Sequence, residues 1–240
     1  KMNTEILITI LFTSVIQSIF GTGILLFGTP ILLMLGNNFQ TTLIILLPAS
    51  ILVNCLQIRN DFTNIDHKFY KNLILFCLPG IFIALYFYPS IEINTNLIIG
   101  VLLIIISLQS LVRVIRKMLC GIFNYEKFFL LVMGFLHGFT NLGGSLLSGA
   151  ILSKNLPKSI KRGTIAISYC SMAIIQIFTL TAKVGFNVFL NQNYFLYWIS
   201  SPIIFFMVEK YLYYSVTENL YKKVSNVFLF IMGLAILIKN

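Results

Sequence analysis

Two glycine-containing breaks interrupt long apolar runs of the sequence and carry the polar groups that could bind a ligand. The run from Ile6 to Leu35 is broken at Gly21-Thr22-Gly23, and the run from Phe128 to Leu152 is broken at Thr140-Asn141-Leu142-Gly143-Gly144. Glycine lets the backbone turn and lets a ligand approach it closely. A helix that begins at such a break presents backbone N–H groups and the positive end of its dipole, which favours an anion. The sequence therefore predicts an anion-binding site at the two breaks.

The predicted ligand groups come from both breaks. The helices that follow them are expected to begin at Ile24 and Ser145, and nearby hydroxyl and amide side chains add hydrogen-bond donors. Helix packing is the alternative explanation for the glycines, since small residues let transmembrane helices approach each other. The predicted substrate-binding residues are Gly21, Thr22, Gly23, Ile24, Thr140, Asn141, Gly143, Gly144 and Ser145.

Three further polar residues lie within apolar segments. Gln17 and His137 are about 120 residues apart, each a few residues before its break, and Asn54 lies in the next apolar segment. Polar and ionisable groups inside membrane segments are candidates for function. Because histidine titrates near physiological pH, His137 could neutralise an anion or carry a coupling proton. A neutral imidazole that is hydrogen-bonded to another helix is the alternative. We expect Gln17, His137 and Asn54 to line the pathway or to take part in coupling.

The composition is that of a membrane protein. Of the 240 residues, 58% are hydrophobic and 10% are charged, and the mean hydropathy is +0.92. These values exclude an ordinary soluble domain, and the absence of a long polar stretch predicts a single membrane domain over residues 1–240. The net charge of +10 lies mostly in loops between apolar runs, so nucleic-acid binding is not expected. The first apolar run lacks the flanks of a cleaved signal peptide, and we expect it to be retained.

Six further apolar segments are long enough to cross a bilayer. If each broken run crosses once, the 17 Lys and Arg residues divide 10 against 7 between the two faces. If each broken run turns back as a re-entrant hairpin, the division is 14 against 3, which the positive-inside rule favours. The six full spans are predicted at Thr41–Ile58, Leu73–Tyr88, Leu97–Val114, Gly163–Ala182, Tyr194–Tyr211 and Val224–Ile238.

The predicted fold is an all-α polytopic membrane protein built as an inverted repeat, with one re-entrant hairpin and three transmembrane helices in each half. The halves cover about residues 1–118 and 119–240. An odd number of crossings in each half inverts the second half relative to the first, which brings the hairpin tips face to face near the midplane. The positive-inside rule then places the basic loops in the cytoplasm and both termini outside. Paired carboxylates, an activated nucleophile and a P-loop are lacking, so an enzyme is not expected. The four cysteines and two histidines are scattered, which predicts neither a metal site nor a cofactor.

Three stretches of the sequence, Ile19–Leu32, Gly134–Ser145 and Leu156–Thr164, carry a resemblance that extends over nearly the whole chain. They resemble the sulfite exporter TauE/SafE family of membrane permeases. That family's pattern is a glycine-rich turn, an apolar run and a small, hydroxyl-rich start to the next helix, here Thr41-Thr42 and Gly163-Thr164. The resemblance implies transport of sulfite, sulfonates or related organic anions across a cytoplasmic (inner) membrane, often outward.

Taken together, the residues and the resemblance predict a secondary transporter of small anions that works by alternating access around the two hairpin tips. An anion-selective channel would use the same groups, and a non-transporting membrane scaffold would use the glycines for packing alone. The sequence leaves both alternatives open. The expected partners are a small anionic substrate and the lipid bilayer, and the sequence is compatible with proton coupling and with a homodimer.

Overall fold

The structure, a computed structural model, describes residues 3–20, 22–61, 64–88, 94–108, 112, 121, 125–190, 192–212 and 218–239. Three parts of the predictions lie outside these residues. They are Gly21, the end of the predicted span Leu97–Val114 (residues 109–111, 113 and 114), and the predicted boundary between the repeats at residues 118 and 119. The regular elements within the described ranges are all helical, which confirms the predicted all-α class.

The described helices follow the order in which the apolar segments occur. In the first half they are α1 (Thr4–Phe20), α2 (Ile24–Met34), α3 (Phe39–Asp61), α4 (His67–Asn72), a π-helix (Leu73–Cys77), α5 (Leu78–Phe87) and α6 (Thr95–Leu108). In the second half they are α7 (Glu126–Thr140), α8 (Gly143–Ser153), α9 (Lys158–Val184), a 3-10 turn (Phe186–Phe189), α10 (Gln192–Leu212) and α11 (Glu218–Lys239).

Local sequence signals set several of the helix ends. Asn38, Asp66 and Asn94 precede α3, α4 and α6, and each accepts a hydrogen bond from the backbone N–H three residues later, at 2.7, 3.0 and 3.1 Å. These bonds satisfy donors that the first turn of a helix leaves free. Gly36 and Gly185 follow α2 and α9 with φ angles of 89° and 84°, a left-handed conformation in which glycine carries no steric penalty.

Within the described residues, three helical segments are long and apolar enough to cross a membrane, and they contain three of the predicted spans almost completely. They are Phe39–Arg59, His67–Phe87 and Ser159–Val184. The remaining predicted spans lie on α6, α10 and α11. The described apolar stretches of α6 and α10 are shorter, Thr95–Leu108 and Tyr194–Glu209.

Apolar side chains cover the outside of the molecule, and many polar ones lie inside. Phe12, Phe178 and Phe206 are 50%, 61% and 68% exposed, whereas Gln17 and Gln176 are completely buried. A water-soluble protein distributes these residue types the other way round. The arrangement is that of a multi-pass membrane protein whose polar groups face the interior of the bundle.

Helix contacts recur in pairs between the two halves. Helix α1 packs on α10 as α7 packs on α5, and α3 packs on α10 as α9 packs on α5. The contacts α1–α2 and α2–α3 recur as α7–α8 and α8–α9, while α3 packs on α9 and α6 on α11. These contacts map onto one another when each first-half helix is exchanged with its second-half counterpart. The counterparts are α1 and α7, α2 and α8, α3 and α9, α5 and α10, and α6 and α11. Such an exchange is what a pseudo-twofold repeat predicts, and the orientation of the halves in a membrane remains a prediction.

Glycines bring α5 and α7 into close contact. A Cβ atom at Gly134 would collide with the carbonyl oxygen of Cys77, and one at Gly138 would lie 2.6 Å from the Cβ of Ala84. Small residues are the usual means by which transmembrane helices approach at this range. Gly134 and Gly138, although they lie just before the second break, therefore serve helix packing.

Candidate functional site

At the first break the chain folds back on the helix it has just left. A Cβ atom at Gly23 would lie 2.5 Å from the backbone N of Gln17 and 2.7 Å from the carbonyl O of Thr13. In a continuous helix, two residues ten positions apart would be separated by about 15 Å along the axis. The chain therefore reverses direction between α1 and α2, and glycine is required at residue 23 because no side chain fits between the two backbones.

The second break repeats this geometry. A Cβ atom at Gly143 would lie 2.6 Å from the Cβ of His137 and 2.9 Å from the carbonyl O of Met133, residues that stand six and ten positions earlier, as at the first break. Helix α8 begins at Gly143, two residues before the predicted start at Ser145. The reason is that the N–H of Ser145 already bonds to the carbonyl O of Leu142 at 3.1 Å, so the helical turn is closed before Ser145.

Gln17 holds the first hairpin together and ties it to α3. Its side-chain oxygen accepts the N–H of Ile24, the first residue of α2, at 3.0 Å, and its amide nitrogen donates to Oδ1 of Asn54 at 3.0 Å. The carbonyl O of Gln17 in turn accepts from Nε2 of Gln57 at 2.7 Å. Gln17 and Asn54 thus lie together at the break, while the N–H of Ile24 is already bonded within the protein.

Asn141 is the centre of a hydrogen-bonded chain at the second break. It adopts a left-handed conformation with φ 60°, which asparagine tolerates better than most residues. Its Nδ2 donates to the hydroxyl of Thr29 at 2.9 Å, and its Oδ1 accepts from Nε2 of Gln176 at 3.2 Å. The Oε1 of Gln176 lies 3.2 Å from Nε2 of His137. The second break is therefore connected through side chains both to α9 and to α2 of the other half.

The hydroxyls of Thr140 and Ser145 serve their own hairpin. Thr140 donates to the carbonyl O of Leu136 at 2.6 Å and accepts the N–H of Leu142 at 3.2 Å. Ser145 donates to the carbonyl O of Leu142 at 2.7 Å. In this conformation both hydroxyl hydrogens point to backbone oxygens, as is common for these residues at helix ends. The sequence predicted these hydroxyls as donors to a ligand.

Tyr169 connects the two breaks and was missing from the predicted site. Its hydroxyl accepts a hydrogen bond of 2.7 Å from the hydroxyl of Thr22 at the first break. The same hydroxyl fills the space that a Cβ atom of Gly144 would need at the second break. The hydroxyl of Ser148 lies beside it but makes no hydrogen bond of good geometry. The side chain of Tyr169, which is 1% exposed, therefore contacts both breaks, and each break with its polar groups is called a half-site below.

Several buried polar atoms around the breaks have no hydrogen-bond partner among the residues that the structure describes. Such atoms cost free energy unless water or a ligand satisfies them. Nδ1 of His137 is among them, on a completely buried side chain. Ser14 Oγ on α1, Gln57 Oε1 beside Gln17, and Ser148 Oγ and Ser168 Oγ near Tyr169 also lack a partner among the described residues. The breaks thus contain both donors and acceptors that remain available for a small polar guest.

The residues gathered at the breaks are electrically neutral, apart from the ionisable His137. They are amides, hydroxyls, glycines and backbone groups, and the buried Arg162 is instead paired with Glu209. Within the described ranges, no three His, Cys, Asp or Glu side chains are arranged to hold a metal ion. The site can therefore bind an anion through hydrogen bonds and helix dipoles, without a permanent cation.

The family of the chain follows from comparison with known proteins. Comparison with curated proteins and with solved structures gives no significant match. The model of the sulfite exporter TauE/SafE family, a family of membrane transporters, matches residues 6–236 and so includes both breaks and Tyr169. With two chain reversals inside an all-helical, apolar-surfaced bundle, the chain belongs to the sulfite exporter TauE/SafE family.

Proposed function

We propose that the protein is a secondary transporter that exports a small sulfur oxyanion, sulfite or a simple sulfonate, bound between the two hairpin tips near the middle of the bilayer. The observation that carries this proposal is that each break is bonded to the other half, since Asn141 at the second break bonds to Thr29 on α2 and Thr22 at the first break bonds to Tyr169 on α9. Two helix N-termini that meet in this way create one site from two halves, the arrangement used by transporters with inverted repeats.

The chemistry of the breaks suits an oxyanion. Sulfite and sulfonates carry several acceptor oxygens, and amide, hydroxyl and backbone N–H groups are donors that can surround them. Neutral donors also allow the anion to leave again, which a transporter requires and a deeply buried Lys or Arg would hinder. The amides of Asn141 and Gln176 and the hydroxyl of Thr22 are the side-chain groups best placed for this role.

The contacts of Lys154 support the re-entrant arrangement of the hairpins. Its ammonium lies 2.9 Å from Asp66 and 3.2 Å from Glu126. If each broken run crossed the membrane once, Lys154 would lie on the opposite face from both carboxylates, about 30 Å away across the hydrocarbon core. With re-entrant hairpins all three residues lie on the basic face, which the positive-inside rule assigns to the cytoplasm.

Contacts at the other end of the bundle agree with the same topology. The ammonium of Lys239 donates to the carbonyl O of Met34 at 2.7 Å, and the N–H of Asn3 donates to the hydroxyl of Tyr197 at 2.6 Å. The hairpin arrangement places all four of these residues on the extracytoplasmic side. Together with the paired helix contacts of the two halves, this supports an inverted repeat that alternates access by moving one half against the other.

His137 is the candidate for coupling transport to protons. Its Nε2 is bonded to Gln176, which also holds Asn141, while its Nδ1 has no partner within the protein. A proton on Nδ1 would give His137 a positive charge. Only the side chain of Gln176 separates His137 from Asn141, so this charge would strengthen binding of an anion at Asn141. Methanesulfonate stays ionised over the whole working pH range, so any pH dependence of its transport comes from the protein. In His137→Gln that dependence should be lost, and a profile identical to wild type would exclude the coupling role.

Counterflow in proteoliposomes tests the proposed function. Purified protein is reconstituted under nitrogen in vesicles loaded with unlabelled sulfite, and uptake of external ³⁵S-sulfite is followed against protein-free vesicles. A carrier exchanges the two pools, with saturation and with competition by methanesulfonate. Electrical recording on the same vesicles separates the channel alternative, because a channel passes voltage-driven current that does not saturate.

A thermal-shift series on the purified protein provides the second measurement. Sulfite and sulfonates should raise the melting temperature, since a ligand that binds the folded state stabilises it. Stabilisation by cations alone would overturn the assignment to anions. If no anion stabilises the protein and no exchange is seen, the non-transporting scaffold is the better description.

A further inference from the structure

Tyr169 stands where the two half-sites meet. Its hydroxyl accepts from Thr22 Oγ1 at 2.7 Å, and it occupies the room that a side chain on Gly144 would need. The donor, Thr22, lies at the first break, between α1 and α2, and the acceptor, Tyr169, lies on α9. The bond therefore joins the two halves of the chain. A substrate that bridges the breaks must meet the phenol hydroxyl before it meets the start of α8.

The first half offers a smaller side chain from its own long helix. Ser50 on α3 faces the first break, since its carbonyl O and Oγ lie 3.3 and 3.4 Å from Nε2 of Gln17. Both long helices therefore present a hydroxyl side chain to the first break, but only α9 fills the space beside it with a ring.

We propose that Tyr169 is a substrate-binding and size-selecting residue of the transporter, an inference that rests on the proposed anion transport. When a sulfur oxyanion enters between the breaks, the bond from Thr22 opens and both hydroxyls donate to the anion. The ring limits the room beside the bound sulfur, so sulfite is accepted and sulfonates with bulky organic groups are excluded. A phenol O–H is a good donor to an anion, and hydrogen bonds to charged partners are the strong ones.

Equilibrium binding of ³⁵S-sulfite to the purified full-length protein tests this role. Tyr169→Phe keeps the packing of the ring and removes the donor, so the Kd should rise about 10-fold or more. Because the buried hydroxyl of Thr22 also loses its acceptor, the melting temperature should fall, and the Kd is measured at a temperature at which the variant is fully folded. The matched control is Tyr197→Phe. That hydroxyl is on an equally buried ring and bonds to Asn3, which precedes α1 at the end opposite to the break. The control should leave the Kd unchanged.

A smaller side chain supplies a second variant. Tyr169→Ser keeps a hydroxyl but removes the ring and opens the space beside the anion, so benzenesulfonate should compete with sulfite about 10-fold better than it does in wild type. A gain of this kind cannot arise from partial unfolding. It therefore tests the proposal even if Tyr169→Phe is poorly stable.

The outcomes distinguish a failure of the role proposed for Tyr169 from a failure of the proposed transport function. If wild type binds sulfite and both Tyr169 variants bind sulfite and benzenesulfonate as wild type does, the role of Tyr169 is overturned and the proposed function stands. If wild type binds neither sulfite nor any sulfonate, the proposed function fails, and the assignment of Tyr169 falls with it.

Discussion

The side-chain amide of Asn141 donates a 2.9 Å hydrogen bond to the hydroxyl of Thr29, and this bond ties the second break to the helix that follows the first. Both groups are buried, so neither can exchange its partner for bulk water. Because the two hairpins share this bond, we expect the tip of one to follow the other when the protein changes conformation. The bond is also a sensitive point for the stability of the site.

Replacement of Thr29 by valine tests that bond. Valine has nearly the same shape but leaves Nδ2 of Asn141 buried without an acceptor, which costs roughly 1–3 kcal/mol. For a chain of this size the melting temperature should fall by roughly 2–10 °C. The control is Thr179→Val, whose buried hydroxyl bonds only to the carbonyl O of Ile175 in its own helix at 2.7 Å. Equal melting temperatures for the two variants would contradict the structural role of the Asn141–Thr29 bond.

The glycines of the two reversals should not tolerate a side chain. In Gly23→Ala and Gly143→Ala the new methyl group would press on the backbone of the preceding helix, which cannot move aside as a flexible side chain could. Overpacking of this kind costs roughly 1–3 kcal/mol or more, so both variants should melt earlier than wild type in detergent. Gly121→Ala is the control, because its Cβ would have no neighbour within 4 Å. Melting temperatures of the Gly23 and Gly143 variants as high as that of the control would show that the chain does not fold back there.

The sequence could predict the reversals but not the residue that joins them. Glycine breaks within apolar runs are local signals, and they correctly marked the turns at Gly23 and Gly143. The contact between Thr22 and Tyr169 links residues 147 positions apart and depends on how α9 packs against the other half. Nothing in the residues next to Tyr169 marks such a contact. The hydroxyl of Ser145 shows a second limit, because the sequence marks it as a donor but does not reveal that it donates to the carbonyl O of Leu142.

Oxidation of two cysteines tests the packing of the two halves at their centre. Sγ of Cys55 on α3 lies 3.9 Å from Sγ of Cys170 on α9. A disulfide needs about 2 Å between the sulfur atoms, so a small side-chain adjustment is enough. With copper phenanthroline as catalyst and oxygen as electron acceptor, mass spectrometry should find the Cys55–Cys170 disulfide within one chain. Cys55→Ser should abolish it, and a bond from Cys170 to Cys77 would contradict the observed pairing of α3 and α9.

A reporter that is active only in the cytoplasm tests the orientation in the membrane. Fused after residue 240, it should be inactive, because re-entrant hairpins place that end outside. Inserted between Ser153 and Pro157, in the turn after α8, it should be active, because this turn belongs to the basic face. A third reporter, in the loop after α3, is the reference. With re-entrant hairpins, the reporter after Ser153 behaves like the reference and the reporter after residue 240 does not. If each broken run crossed the membrane once, the reporter after residue 240 would behave like the reference and the reporter after Ser153 would not.

The cluster around Lys154 predicts how stability depends on pH. Partial burial by itself raises the pKa of the Asp66 carboxyl, but the hydrogen bond from the N–H of Phe69 and the nearby ammonium of Lys154 outweigh it and lower the pKa below its usual value. A carboxyl whose pKa is lowered by folding stabilises the protein fully above its unfolded pKa of about 3.9 and loses that contribution as the pH falls through the folded value.

Asp66→Asn should therefore melt earlier than wild type at pH 7, and the difference should shrink as the pH is lowered below about 4. Glu5→Gln, which removes an exposed carboxylate near the start of α1, controls for the change in net charge. A difference between Asp66→Asn and wild type that stays constant from pH 7 to pH 3 would mean that the ionised carboxylate contributes nothing. In that case the link from Lys154 to Asp66 would not hold the second hairpin against α4, and the strongest contact in favour of the re-entrant arrangement would be lost.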